Sequence, residues 1–145
     1  GNDFVGEVNN QLVFFGAGFW GVRDADIWIS DGSLRGTKAV LGDNPDGVRA
    51  RAPGIQHNGR LFFGASTRAT GHELWVTDGT AAGTQLVADI TRGILGSAPQ
   101  ILGSSDDAVF FTTDADGGGK ILWQTDGTTA GTSRVLDTPF AEIGK

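Results

Sequence analysis

At 145 residues the chain has the length of one ordinary domain with a single core, and its 24 glycines, set between short apolar runs, favour tight turns and short strands over long helices. With no cysteine, disulfides, zinc ribbons and cysteine nucleophiles are excluded; with 17 acidic against 11 basic residues, a net charge of −6, the chain lacks the clustered cations that a nucleic-acid partner requires. No apolar run approaches the ~20 residues of a membrane-spanning helix, so no membrane insertion is expected, and the absence of methionine, even at position 1, gives the expectation of a processed, trimmed or designed product.

Along the chain, three similar units of about 1–50, 51–97 and 98–145 form a single repeat domain. The first carries the apolar run Leu12-Val13-Phe14-Phe15, then Phe19-Trp20-Gly21-Val22-Arg23-Asp24, then DIWISDGSLRGTKAVL from Asp26 to Leu41. The second reads as four strands. One lies around Gly54 to Gln56 and turns at His57-Asn58-Gly59; the next runs from Leu61 to Ser66; the third, Glu73 to Thr77, reaches a turn at Asp78-Gly79; the fourth runs from Thr84 to Asp89. The third unit repeats the pattern with Phe110-Phe111 and ILWQTDGTTAGTSRVLDT from Ile121 to Thr138.

Two markers set the period. Trp28, Trp75 and Trp123 follow at intervals of 47 and 48 residues, and Phe14-Phe15, Phe62-Phe63 and Phe110-Phe111 at intervals of 48. The three tryptophans are therefore expected at equivalent buried positions on the third strand of each unit. Adjacent large residues such as Phe62-Phe63 and Leu74-Trp75-Val76 point to opposite faces of a strand, so both faces of each sheet need cover. Four-stranded blades stacked in a β-propeller provide it, and the expected fold is an all-β propeller of antiparallel blades, three per chain, with a β-trefoil as the alternative. Three blades do not close a ring, so completion by a homo-oligomer is expected, most simply a dimer with six blades; a place in a longer natural array is the other possibility.

The motif Glu73-Leu74-Trp75-x-x-Asp78-Gly79-Thr80 resembles the repeat that names the bacterial ELWxxDGT repeat proteins. The third unit has Ile121 in place of Glu, and the first has Asp26-Ile27 and Ser33 in place of Glu-Leu and Thr. The resemblance implies a propeller-like protein that is secreted or exposed at the bacterial cell surface, and it implies no established activity.

The repeated Asp-Gly-Thr-x-x-Gly-Thr segment combines carboxylate, hydroxyl and flexible backbone, as a metal or anion loop would, but its presence in every unit favours architecture, with the Asp capping turn amides. Asp114-Ala115-Asp116-Gly117 resembles the opening of a calcium loop whose remaining ligands are missing, so no metal and no cofactor are expected. Two histidines, His57 and His72, in different places in one unit do not make a triad, and the chain is expected not to be an enzyme. Departures from the repeat carry the candidate binding residues. Trp20 lies outside the repeated tryptophan set and, with Arg23 and Asp24, matches a sugar subsite in which C–H groups stack on the ring and hydroxyls meet charged partners; covering a neighbouring blade or a subunit contact is its other reading. Arg68, His72, Asp114 and Asp116 in the counterpart loops complete the candidate ligand-binding set. The expected function is a recognition module binding glycans ahead of proteins, with a structural or self-assembling repeat unit as the alternative.

Overall fold

The structure is a computed structural model, and it describes residues 4–17, 25–41, 47–91, 96–115 and 118–136. The described residues form twelve strands and no helix: β1 (Phe4–Val8), β2 (Gln11–Ala17), β3 (Ala25–Ser30), β4 (Lys38–Ala39), β5 (Arg49–His57), β6 (Arg60–Thr67), β7 (Gly71–Thr77), β8 (Gln85–Ala88), β9 (Gln100–Ser104), β10 (Val109–Asp114), β11 (Lys120–Thr125) and β12 (Ser133–Arg134). They make three antiparallel four-stranded sheets, each a simple meander of four consecutive strands. The all-β expectation and the four-strand unit therefore hold.

Local chemistry explains the meander. The β5–β6 hairpin turns on Asn58 and Gly59, both at positive φ, and β1–β2 turns on Asn9 and Asn10 at φ 49° and 64°. Two consecutive positive φ values match the twist of a two-residue hairpin, and asparagine is among the few side chains that tolerate them.

The connection between the third and fourth strands of each sheet is built identically three times. The Asp78 carboxylate accepts the Thr80 amide at 2.9 Å and the Thr80 hydroxyl at 2.6 Å; the Thr80 hydroxyl oxygen in turn accepts the Gly83 amide at 3.0 Å. Asp126 does the same with Thr128 and Gly131, and Asp31 with Ser33 and Gly36. A side chain at Gly83 would lie 2.1 Å from the Asp78 carboxylate oxygen, which is why the second glycine of the motif recurs. A hydroxyl pair closes each loop: Thr77 with Thr84 at 2.6 Å, Thr125 with Thr132 at 2.7 Å, and Ser30 with Thr37 at 2.7 Å.

These bonds hold the Asp31, Asp78 and Asp126 carboxyls below the usual carboxylate range, chiefly through the hydroxyl of Ser33, Thr80 or Thr128. A depressed folded pKa gives stability that is present above the unfolded value and lost as pH falls through the folded one. Asp78→Ala and Asp126→Ala are therefore expected to lower the melting temperature at pH 7 and to blunt its fall in acid, whereas chelator leaves it unchanged. An unaltered melting curve in both variants would remove the turns from the account.

Packing joins the sheets face to face. One core contains Val8, Val13, Ile27 and Ile29 of the first sheet with Leu61, Phe63, Ala65 and Trp75 of the second. The other contains Phe62, Leu74, Val76 and Val87 of the second with Val109 and Phe111 of the third. Phe62 and Phe63, neighbours in sequence and both fully buried, thus enter different cores, and the middle sheet is covered on both faces. The seams carry polar ties as well. Asn9 Nδ2 donates to the Asp78 carbonyl at 3.3 Å, Arg60 donates to the Asp126 carbonyl at 2.6 Å, and the Thr129 hydroxyl donates to the Val87 carbonyl at 2.7 Å.

Two sequence expectations need correction. By strand register, the partners of Trp28, Trp75 and Trp123 are Phe14, Phe63 and Phe111, so the first Phe pair is offset by one residue and Phe15 falls opposite Ile27. The tryptophans are equivalent in pairing but unequal in burial. Trp75 is 8% exposed, whereas Trp28 and Trp123 are half-buried. Trp28 sits on the face of the first sheet opposite Ile27 and Ile29, where no further sheet among the described residues covers it.

Candidate functional site

A strap between the second and third sheets shapes the most distinctive site. Glu73 on β7 is fully buried, and its carboxylate accepts the Thr91 amide at 3.0 Å and the Ser97 hydroxyl. Burial pushes the Glu73 carboxyl up, opposed first by the Ser97 hydroxyl and then by the amides of Thr91 and Ile90. The Ser97 and Ala98 amides both donate to the His72 carbonyl, at 2.9 and 3.2 Å, and the Asp114 amide donates to the Ser97 carbonyl at 3.0 Å. A side chain at Gly96, φ 72°, would lie 2.2 Å from the His72 backbone nitrogen, so only glycine lets the strap come this close.

Beside the strap lies a cavity of about 290 Å³. Ile90 and Thr91 form one wall; Thr113, Asp114, Ala115, Ile121, Trp123 and Arg134 of the third sheet form the rest. Trp123 stacks on Phe111 with ring centroids 6.2 Å apart, its Nε1 donates to the Thr113 hydroxyl at 2.9 Å, and the Arg134 guanidinium lies 5.5 Å above its centroid. Asp114, exposed at the rim, pairs with Lys120 at 2.5 Å. An aromatic ring, a guanidinium, a carboxylate and hydroxyls therefore meet around one small volume.

Strand pairing shows that several of these residues are departures of the third sheet from the second. Thr113 stands where Ala65 does, Asp114 for Ser66, Lys120 for His72, Ile121 for Glu73 and Arg134 for Leu86. In the second sheet, Ala65 offers Trp75 no hydroxyl, and the buried Trp75 Nε1 has no hydrogen-bond partner among the described residues.

Of the residues singled out in the sequence, Asp114 belongs to this cavity. Arg68 is exposed in the β6–β7 turn, away from it. His72 is half-buried on β7; its carbonyl anchors the strap and its ring lies against Gly64. Trp20, Arg23, Asp24 and Asp116 lie outside the described residues. Trp123 belongs to the repeated tryptophan set and Arg134 to the repeated segment from Ile121 to Thr138; the change from Leu86 to Arg134 at one repeat position is the signal that marks them. Among the described residues no three His, Asp or Glu side chains are grouped to hold a metal ion.

A scan against protein-family models and a search of curated proteins find no match. Among solved structures, the chain is similar to the acylaminoacyl peptidase of Pyrococcus horikoshii, with a TM-score of 0.56 and 18% identity over 94% of this chain. The aligned part spans 19% of the peptidase chain. This corrects the expectation that the chain is not an enzyme, since the protein that shares its arrangement of sheets is one. At that identity the likeness is one of fold, and no activity passes to this chain with it.

Proposed function

We propose that the chain is a recognition module of β-propeller type, of the secreted or surface-exposed kind to which ELWxxDGT repeat proteins belong, and that it binds a glycan in the cavity between its second and third sheets. The blade reading is supported by consecutive meanders stacked face to face, with β1 lying along β5 and β5 reaching β9. The observation that carries the ligand reading is the convergence of Thr113, Asp114, Ile121 and Arg134, all departures from the repeat, on one cavity. The repeated blade does not require these residues.

Sugar chemistry fits the lining. Phe111 and Arg134 flank the two faces of the Trp123 ring, so C–H groups pack against its edge and the Arg134 stem, while hydroxyls bond to the Asp114 carboxylate and the guanidinium, whose charge strengthens each bond. A cavity of about 290 Å³ suits one or two sugar rings better than a protein surface, which needs roughly 800 Å² of contact per partner.

A glycan array followed by calorimetry tests the reading. Arg134 is exposed, so Arg134→Ala is expected to leave folding intact and to weaken binding by more than tenfold, about 1.5 kcal/mol or more for hydrogen bonds to a charged group. Unchanged affinity in Arg134→Ala, or no glycan retained, would remove the cavity as the site.

A further inference from the structure

Both cores are built from the same pair of faces. The face bearing Leu61, Phe63 and Trp75 meets the one bearing Val13, Ile27 and Ile29; the face bearing Val109, Phe111 and Trp123 meets the one bearing Phe62, Leu74 and Val76. Among the described residues, one face of each kind then remains uncovered. Leu12, Phe14 and Trp28 occupy the open face of the first sheet, and Phe110, Leu122 and Gln124 that of the third. Leu12 is 46% exposed, while Leu61 at the same place in the second sheet is 1% exposed.

Size matching within the seams identifies what fits these faces. A side chain at Gly6 would lie 2.6 Å from Leu61 Cδ1, so the missing one makes room for Leu61 across the first seam. Register places Gly6, Ile55 and Gly103 at one repeat position, opposite Val13, Phe62 and Phe110. It places Leu12, Leu61 and Val109 at another, opposite Ser30, Thr77 and Thr125. The first seam thus combines leucine with glycine, and the second combines the smaller valine with isoleucine. Leucine and glycine recur on the two open faces, as Leu12 and Gly103, and nothing lies within 4 Å of where a Gly103 side chain would be.

We propose that the first sheet of one chain packs on the third sheet of a second copy, Leu12 seating over Gly103, and that two such joints close a head-to-tail dimer of six sheets. The faces are different surfaces, so the contact is heterologous, and the second joint is what stops it from growing into a fibre. The proposal does not rest on the ligand reading, because association and binding are measured separately.

Light scattering on the purified chain is expected to give twice the 15.1 kDa chain mass at micromolar concentration. Gly103→Ile, which meets open space within its own chain, is expected to keep the wild-type circular dichroism and to run as a monomer. Adding Leu12→Val copies the Val109–Ile55 seam and restores the dimer. Should Gly103→Ile fail to fold, Leu12→Glu, at a residue already 46% exposed, is expected to give a folded monomer. A monomeric wild-type chain, or a folded Gly103→Ile or Leu12→Glu variant that stays dimeric, overturns the proposal.

Discussion

Trp75→Ala is expected to cost about 3–5 kcal/mol of stability, the range for removing a large aromatic from a packed core. Trp75 is 8% exposed and lies in the core between the first and second sheets with Phe63, Ile27 and Ile29, so its loss leaves a cavity that rigid sheets fill poorly. Because its Nε1 has no hydrogen-bond partner among the described residues, Trp75→Phe gives up volume but none of the described hydrogen bonds and is expected to recover most of the loss. The half-buried Trp28 is the internal control, and in a monomer its truncation costs less. Urea unfolding at pH 7 measures all three. A loss below ~1 kcal/mol for Trp75→Ala would place that side chain at a surface and dissolve the first seam.

Glu73→Ala is expected to cost about 2–6 kcal/mol, because the Thr91 amide and the Ser97 hydroxyl each lose their acceptor at roughly 1–3 kcal/mol apiece. The folded carboxyl is raised by burial, so its contribution is fully present below the ordinary value of 4.5 and is lost as pH rises through the raised one. The sign is opposite to that of Asp31, Asp78 and Asp126. Glu73→Gln keeps one acceptor without a charge, so it is expected to cost less than alanine and to flatten the stability profile above pH 4.5. Equal losses for alanine and glutamine at every pH would mean that the strap does not depend on the carboxylate. Since Ile90 and Thr91 wall the cavity, Glu73→Ala is also expected to weaken ligand binding beyond its effect on folding.

The repeat is legible in the sequence because tryptophan and the Asp-Gly turn recur at nearly constant spacing and each has a local cause. The three Asp turns are closed by bonds spanning two to seven residues, and such short-range chemistry can be read from residue order. Burial of the middle sheet on both faces follows from Phe62-Phe63 for the same reason.

The offset of the first Phe pair is hidden in the letters. Register is fixed by the hairpin turn, and counting from Asn9-Asn10 puts Phe14, not Phe15, where counting from Asn58-Gly59 puts Phe63. An Asn-Asn turn is a weaker signal than Asn-Gly, so identical pairs of phenylalanine align by composition and mislead by one residue. The cavity is hidden for a different reason: its strap wall is held by Glu73 reaching Ser97, 24 residues away. Asp114, expected in a loop, ends β10 and is visible as a departure beside a glycine-rich turn, but Trp123 and Arg134 sit within strands, where a change at one repeat position looks like drift until the register brings it beside Asp114.

The indole N–H signals of the four tryptophans give the most direct test of recognition at the cavity. Titrating an array-selected glycan into ¹⁵N-labelled chain is expected to shift the Trp123 signal, whose proton bridges to Thr113 inside the cavity, and to leave those of Trp28 and Trp75 in place. A shift confined to Trp20, or no indole shift at saturating glycan, would contradict binding between the second and third sheets.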